Sequence, residues 1–186
     1  NAGYRAEARA VGRAFVRAFR GCSAVVAPSG SCVAYVRCHL PHLLEGTPEH
    51  GEAVALAAHT WEFSEYLVDV LQQPSIGARL ATPTRAALHN GCHAMRFGGI
   101  ERQPRALLEQ VHGLTLVDFE RSEECCGFGG LFSVKMPHIS TAVMEDKIAA
   151  LSAADVDVVL TGDAGCLMHL DGGLSRGGHS LRVRHY

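Results

Sequence analysis

Apolar and polar positions along this 186-residue chain alternate between helical and extended periods. Tyr4–Arg20 is rich in Ala and Arg, with Val11, Ala14, Phe15, Ala18 and Phe19 at the spacing of one helix face. Ser23–Pro28 reads as a short buried strand, and Ser29-Gly30-Ser31 offers a turn and an N-cap for a helix to about Leu44. Pro48–Leu71 is predicted mostly helical, in one or two segments, with Pro48 near the first turn. Thr84–His89 is the next predicted strand, and a helix follows from Pro104 to about Val111. Leu114–Phe119 is a strand and Met136–Leu151 a helix. Asp155–Leu160 is a strand, and a last helical stretch leads to a strand at Ser180–Tyr186.

Repeated strand–helix alternation implies an α/β fold, a parallel sheet or sheets flanked by helices. In such sheets ligands sit beyond the carboxyl ends of the strands. Cys92, the adjacent Cys125 and Cys126, and Cys166 all follow predicted strands. Each is set among glycines: Asn90-Gly91-Cys92-His93, Cys125-Cys126-Gly127-Phe128-Gly129-Gly130 and Gly162-Asp163-Ala164-Gly165-Cys166. Thiolate sulfur is the soft ligand preferred by iron–sulfur clusters and zinc, and glycine lets backbone N–H groups approach such a core. Packing alone would not require two adjacent cysteines followed by three nearby glycines, so one folded thiolate pocket is expected.

The remaining candidates carry less. Cys32 lies in Pro28-Ser29-Gly30-Ser31-Cys32, a turn of ligand type, whereas Cys22 and Cys38 read as packing residues. His93, beside Cys92, could serve as a ligand but reads rather as a hydrogen-bond donor or a surface residue, and His39 and His42 read as solvated helix positions. Lys135 offers a cation for a thiolate-bound centre. Gly127-Phe128-Gly129-Gly130 lacks the Lys-Ser/Thr and the spacing of nucleotide-binding loops.

The chain also contains an internal similarity. Val25–Cys32 resembles Val158–Cys166, each after an amphipathic helix, which makes Cys32 and Cys166 equivalent at an offset of 134 positions. At that offset the counterparts of Cys92, Cys125 and Cys126 would precede Asn1. The expected organisation is therefore residues 1–80 as the remnant of a first repeat and 81–186 as a complete second one, with roughly fifty or more residues preceding Asn1 in the full protein.

Composition narrows the classes. With 47% hydrophobic and 19% charged residues and a net charge of -2, the chain is globular and has no basic stripe for nucleic acid. Its apolar runs, such as Val156–Leu160, are too short to span a membrane. Seven cysteines, a vicinal pair and no export signal favour a reducing cytoplasm over a disulfide framework.

The spacing of 32 residues between Cys92 and Cys125, and 39 between Cys126 and Cys166, resembles the cysteine-rich CCG domain. That domain occurs in heterodisulfide reductase and in the iron–sulfur subunits of glycolate oxidase and anaerobic glycerol-3-phosphate dehydrogenase. Cys125–Met136, Val26–Cys32, His89–His93 and Gly165–Met168 are closest to its lactate-utilisation A branch. The resemblance implies two CCG lobes, the first incomplete here, and an iron–sulfur electron-transfer subunit in the oxidation of (S)-lactate or a related 2-hydroxy acid. It implies other iron–sulfur or lactate-utilisation subunits as partners, the hydroxy acid being met at the level of the complex. Relatives often carry a second cysteine in the last turn, where Asp163 and Ala164 stand here. Four sulfurs, Cys92, Cys125, Cys126 and Cys166, suit a [4Fe–4S] cluster or a tetrahedral zinc, with Cys32 in a second, incomplete site. The competing expectation is a zinc-stabilised or apo interaction module without redox activity. A thiol–disulfide catalyst on the vicinal pair is disfavoured by ring strain.

Overall fold

A computed structural model describes residues 3–186. The Ala- and Arg-rich opening forms helix α1, Arg5–Ala18, which buries Gly12 and Val16 along one face. Strand β1, Val25–Ala27, follows, and Ser29 then caps helix α2, Gly30–Cys38, its side chain accepting from the Cys32 N–H. A one-turn helix α3, Leu40–Leu43, with Pro41 in its first turn, leads to α4, His50–Ala58.

The mostly helical stretch expected from Pro48 to Leu71, in one or two segments, is divided by a strand. Thr60–Glu62 forms strand β2, parallel to β1, with Val25 opposite Thr60. Its Thr60 hydroxyl donates to the Leu56 carbonyl, closing α4. Glu62 caps the short helix α5, Phe63–Glu65, in a reciprocal capping box, and a wider π turn, Tyr66–Val70, follows.

The second sheet has the order β4-β3-β5-β6, all parallel. Its central strand β3, Arg79–Leu88, is longer than expected at its N-terminal end. Helices α6, Cys92–Gly98, and α7, Arg102–Leu108, connect it to β4, His112–Leu116. A long turn then reaches α8, Leu131–Lys135, and α9, Pro137–Ala153. Strand β5, Val158–Thr161, helix α10, Ala164–Arg176, and strand β6, Val183–His185, close the chain. Strands joined through helices keep one direction, and this α/β arrangement of parallel sheets flanked by helices is what alternation dictates.

The main core lies between the second sheet and α9 and α10. It contains Ala87, Met144, Ile148, Leu151, Val159, Leu170, Leu174 and Val183, and it takes in Cys126 and Cys166. Each fully buried leucine there contributes about 1.5–3 kcal/mol through its removal from water. A separate cluster of Val16, Val25, Leu40, Leu44, Ala53 and Leu56 holds the first sheet to α1, α3 and α4.

The two sheets are joined through α2 and α6. A Cβ on Gly30 would stand 2.4 Å from that of Ala94, so only glycine permits this approach. Val33, Ala94 and Ile100 are buried at the seam. Asp69 receives Arg102 at 2.5 Å and Gln103 at 2.7 Å, and the Pro28 carbonyl lies 2.8 Å from His185 Nε2. No helix among the described residues is long and apolar enough to cross a membrane.

Candidate metal centre

Three turns beyond the carboxyl ends of β3, β4 and β5 carry the four cysteines. Cys92 is the first residue of α6, behind the N-cap Gly91. Cys125 and Cys126 lie in the turn between β4 and α8. Cys166 is the third residue of α10, whose N-cap Asp163 accepts from the Gly165 N–H at 3.1 Å. Folding brings the sulfurs together in pairs. Cys92 Sγ is 3.8 Å from Cys125 Sγ, and Cys126 Sγ is 3.1 Å from Cys166 Sγ. All seven cysteines are free thiols, with Cys126 and Cys166 buried and Cys92 and Cys125 half-buried.

The vicinal turn is built on Gly127, at φ +90°. A Cβ there would meet the Ser140 carbonyl oxygen at 2.4 Å. Ser140 Oγ donates to the Gly127 carbonyl at 2.8 Å, tying the turn to α9. The Gly127 N–H in turn donates to Cys125 Sγ at 3.3 Å.

The four sulfurs share protons unequally. Cys126 is driven up chiefly by its hydrogen bonds to Cys125 and Cys166 and then by burial, and Cys92 by its hydrogen bond to Cys125. Cys125 is driven down by Cys126 first and Cys92 second, with help from the Gly127 N–H. Cys166 falls to about 6, through Cys126 before any other neighbour. In the two close pairs Cys92 and Cys126 are the donors, and Cys125 and Cys166 accept.

Two further groups face this set, and neither was singled out from the sequence. Lys147, on α9, is 1% exposed. It donates to the carbonyls of Arg121 and Ser122, the latter at 3.2 Å, in the turn that carries the vicinal pair. Burial lowers its pKa, while Glu124 and the sulfurs of Cys126 and Cys125 act in the opposite sense. Lys135, the cation expected from the sequence, is exposed at the end of α8. The second group is His89, fully buried immediately after β3. One ring nitrogen and the sulfurs of Cys126 and Cys166 all lie within 4.8 Å of one another. Its only sequence signal is its position, where a predicted strand runs into the Cys92 turn.

The remaining residues sort clearly. His93 is exposed, with Nδ1 3.6 Å from Cys92 Sγ, and His39 and His42 are exposed as expected. Cys38 is half-buried and its thiol donates to the Phe97 carbonyl at 3.5 Å. Cys22 corrects the packing expectation: it is exposed, in the turn after α1, where no core reaches it. Cys32 is exposed, but it lines the same cavity as the four-cysteine set. That cavity, about 500 Å³, is walled by Phe15 of α1, Tyr35 of α2, Phe97 of α6 and Phe128 of the vicinal turn, with the four sulfurs at its floor.

Four thiol sulfurs, an unpaired buried imidazole and a cavity larger than one ion make a donor set that fits a soft metal group. Comparison with known proteins agrees with the cysteine pattern. The cysteine-rich domain family named CCG matches residues 86–171. The chain is 42% identical to lactate utilization protein A of Geobacillus kaustophilus (strain HTA426), over all of this chain and 77% of the relative. It is also 42% identical to the protein of that name from Geobacillus thermodenitrificans (strain NG80-2), with the same coverage. Lactate utilization protein A of Exiguobacterium sp. (strain ATCC BAA-1283 / AT1b) is 39% identical over all of this chain and 76% of its own length.

Proposed function

The chain belongs to the lactate utilization protein A family, and on that premise we propose that it is an iron–sulfur electron-transfer subunit in the oxidation of (S)-lactate or a related 2-hydroxy acid. The observation that carries the proposal is the convergence of Cys92, Cys125, Cys126 and Cys166 on one cavity, in pairs 3.8 and 3.1 Å apart. A [4Fe–4S] cluster bound there supplies one-electron transfer. Cys92, Cys125, Cys126 and Cys166 hold it. The Gly127 N–H draws electron density from Cys125 Sγ, which raises the potential. Lys147 offsets part of the negative charge of the thiolates and keeps their turn closed. Thiols ligate as thiolates, so uptake releases protons and tightens as pH rises.

The organisation proposed for the chain is residues 1–80 as part of a first CCG repeat and 81–186 as a second. Its support is that Cys32 and Cys166 each occupy the third position of a helix, behind a side-chain N-cap, Ser29 or Asp163. Cys32 would then belong to a second, incomplete site. The partners proposed are other lactate-utilization subunits, including an iron–sulfur one, and the compartment is the cytoplasm, which keeps such thiols reduced.

A zinc reading has one observation in its favour. A tetrahedron with Zn–S bonds of about 2.3 Å has edges of about 3.8 Å, the separation of Cys92 and Cys125. The volume of the cavity, about 500 Å³, favours the larger group. Anaerobic reconstitution followed by iron, acid-labile sulfide and zinc analysis separates the two. About four iron and four sulfide per chain, with visible absorption that bleaches on reduction, is the expected result. Zinc alone, at about one per chain, would overturn it.

A further inference from the structure

Among the described residues, His89 is a buried histidine without a hydrogen-bond partner. Its ring is 0% exposed, and among the described residues neither Nδ1 nor Nε2 has a hydrogen-bond partner. A neutral imidazole has one N–H donor and one lone pair, and leaving either unmet in the interior is costly. Most buried polar side chains find a partner in the protein, and an exception calls for an explanation. Here the surroundings supply one. The ring stands against Cys126 and Cys166, within 4.8 Å of both sulfurs at one nitrogen.

The backbone also holds this ring in place. The His89 N–H donates to the Leu160 carbonyl at 2.8 Å, extending the pairing of β3 with β5 by one residue. The next side chain, Asn90, donates to the Ile100 carbonyl at 3.0 Å. The turn that ends in Cys92 is therefore pinned at His89 and at the residue after it, and the ring sits on a paired strand end rather than a loose loop. A ligand held that way is pre-set for coordination.

We infer that His89 is a nitrogen donor to the metal group held by Cys92, Cys125, Cys126 and Cys166, giving a site of four sulfurs and one nitrogen. The inference rests on reading the cysteine set as a metal centre. It goes further by naming a ligand of a different chemical kind. Imidazole carries no charge and donates less electron density than thiolate, so a His-ligated iron centre sits at a higher potential than an all-thiolate one.

The test is coordination itself, read on the wild-type chain. Anaerobically reconstituted protein carrying ¹⁵N-histidine is examined by pulsed EPR in its reduced form, and by X-ray absorption at the edge of whichever metal it holds. A strongly coupled ¹⁵N, and a nitrogen scatterer at about 2.0–2.1 Å where zinc is the metal, are expected. Both signals should vanish in His89→Gln. His89→Cys should restore metal content, while His89→Ala loses at least ~10-fold in metal affinity. The rescue by cysteine separates ligand loss from a mere packing defect. Metal bound with sulfur-only coordination overturns this inference and leaves the metal reading standing. A wild-type chain that takes up neither iron nor zinc overturns both.

Discussion

Cys126 Sγ lies 3.1 Å from Cys166 Sγ, across 40 positions of chain and between two different turns of one sheet. Cys126 reaches Cys166 because β4 and β5 flank the central strand β3 and run in one direction, so the turns that follow them share an edge. Both residues are buried in the hydrophobic core as well as in the thiol cluster. Losing one sulfur therefore affects the metal site and the packing together.

Cys126→Ser is expected to lower metal content at least ~10-fold, because even weaker, outer contacts to a metal site cost that much. A serine oxygen is hard and stays protonated near neutral pH, which makes it a poor ligand. Cys38→Ser, whose thiol donates to the Phe97 carbonyl away from the four-cysteine set, should keep its metal at a stability cost of order 1 kcal/mol. Metal analysis of the two variants, reconstituted side by side, checks this. Equal occupancy would remove Cys126 from the ligand set.

Gly127→Ala tests the turn rather than the ligands. The new methyl group would sit at a positive φ and 2.4 Å from the Ser140 oxygen. Strain and overpacking together should cost about 2–5 kcal/mol. Denaturant midpoints of the apo chain would register it without any metal present, and an unchanged midpoint would contradict the geometry.

Lys147→Met keeps most of the unbranched side chain and removes its charged end. The carbonyls of Arg121 and Ser122 would each lose their buried donor, a cost of about 1–3 kcal/mol. The turn carrying Cys125 and Cys126 should loosen, which faster hydrogen exchange at residues 121–127 would detect. Lys135→Met, at an exposed site, should leave both stability and exchange near wild type.

Glu62 is the source of an expected pH dependence. It is 1% exposed, and burial raises its pKa against the opposing hydrogen bonds from Ser64 and Glu65. Its Oε1 has no hydrogen-bond partner among the described residues. The native state therefore holds this proton more tightly than the unfolded chain. Its contribution is fully present below the ordinary carboxylate range and is lost as pH rises through the raised native value. Apo-chain stability should fall over that interval, and Glu62→Gln should flatten the fall. Parallel slopes for the two proteins, measured by urea unfolding between about pH 5 and pH 8, would exclude Glu62 as its origin.

Much of this architecture was legible in the residues. The apolar runs at Val25–Ala27 and Val158–Thr161 are strands, and the turns after the strands hold the cysteines. β2 escaped notice because Thr60, Trp61 and Glu62 are only three residues inside a helical pattern, and their pairing with β1 is a tertiary fact. α6 is short and opens directly on Cys92, so its periodicity is too brief to read. Lys147 and His89 were passed over for one reason. A single charged or polar residue in an amphipathic segment looks solvated until the partner elements are in place, and only the folded chain buries these two. Cys22 and Cys38 looked alike in sequence, and only the position of Cys22 outside the core distinguishes them.

The cavity above the sulfurs has walls from both sheets: Phe15 and Tyr35 come from helices beside the first, Phe97 from a helix and Phe128 from the vicinal turn beside the second. A chain cut near residue 80 would keep Cys92, Cys125, Cys126 and Cys166 and lose half of that enclosure. Dioxygen would then reach the thiolates from a side the intact chain covers, and oxidation up the sulfenic and sulfinic ladder would outrun metal loading. The first eighty residues, which supply none of the four sulfurs, thus decide how long those sulfurs survive in air.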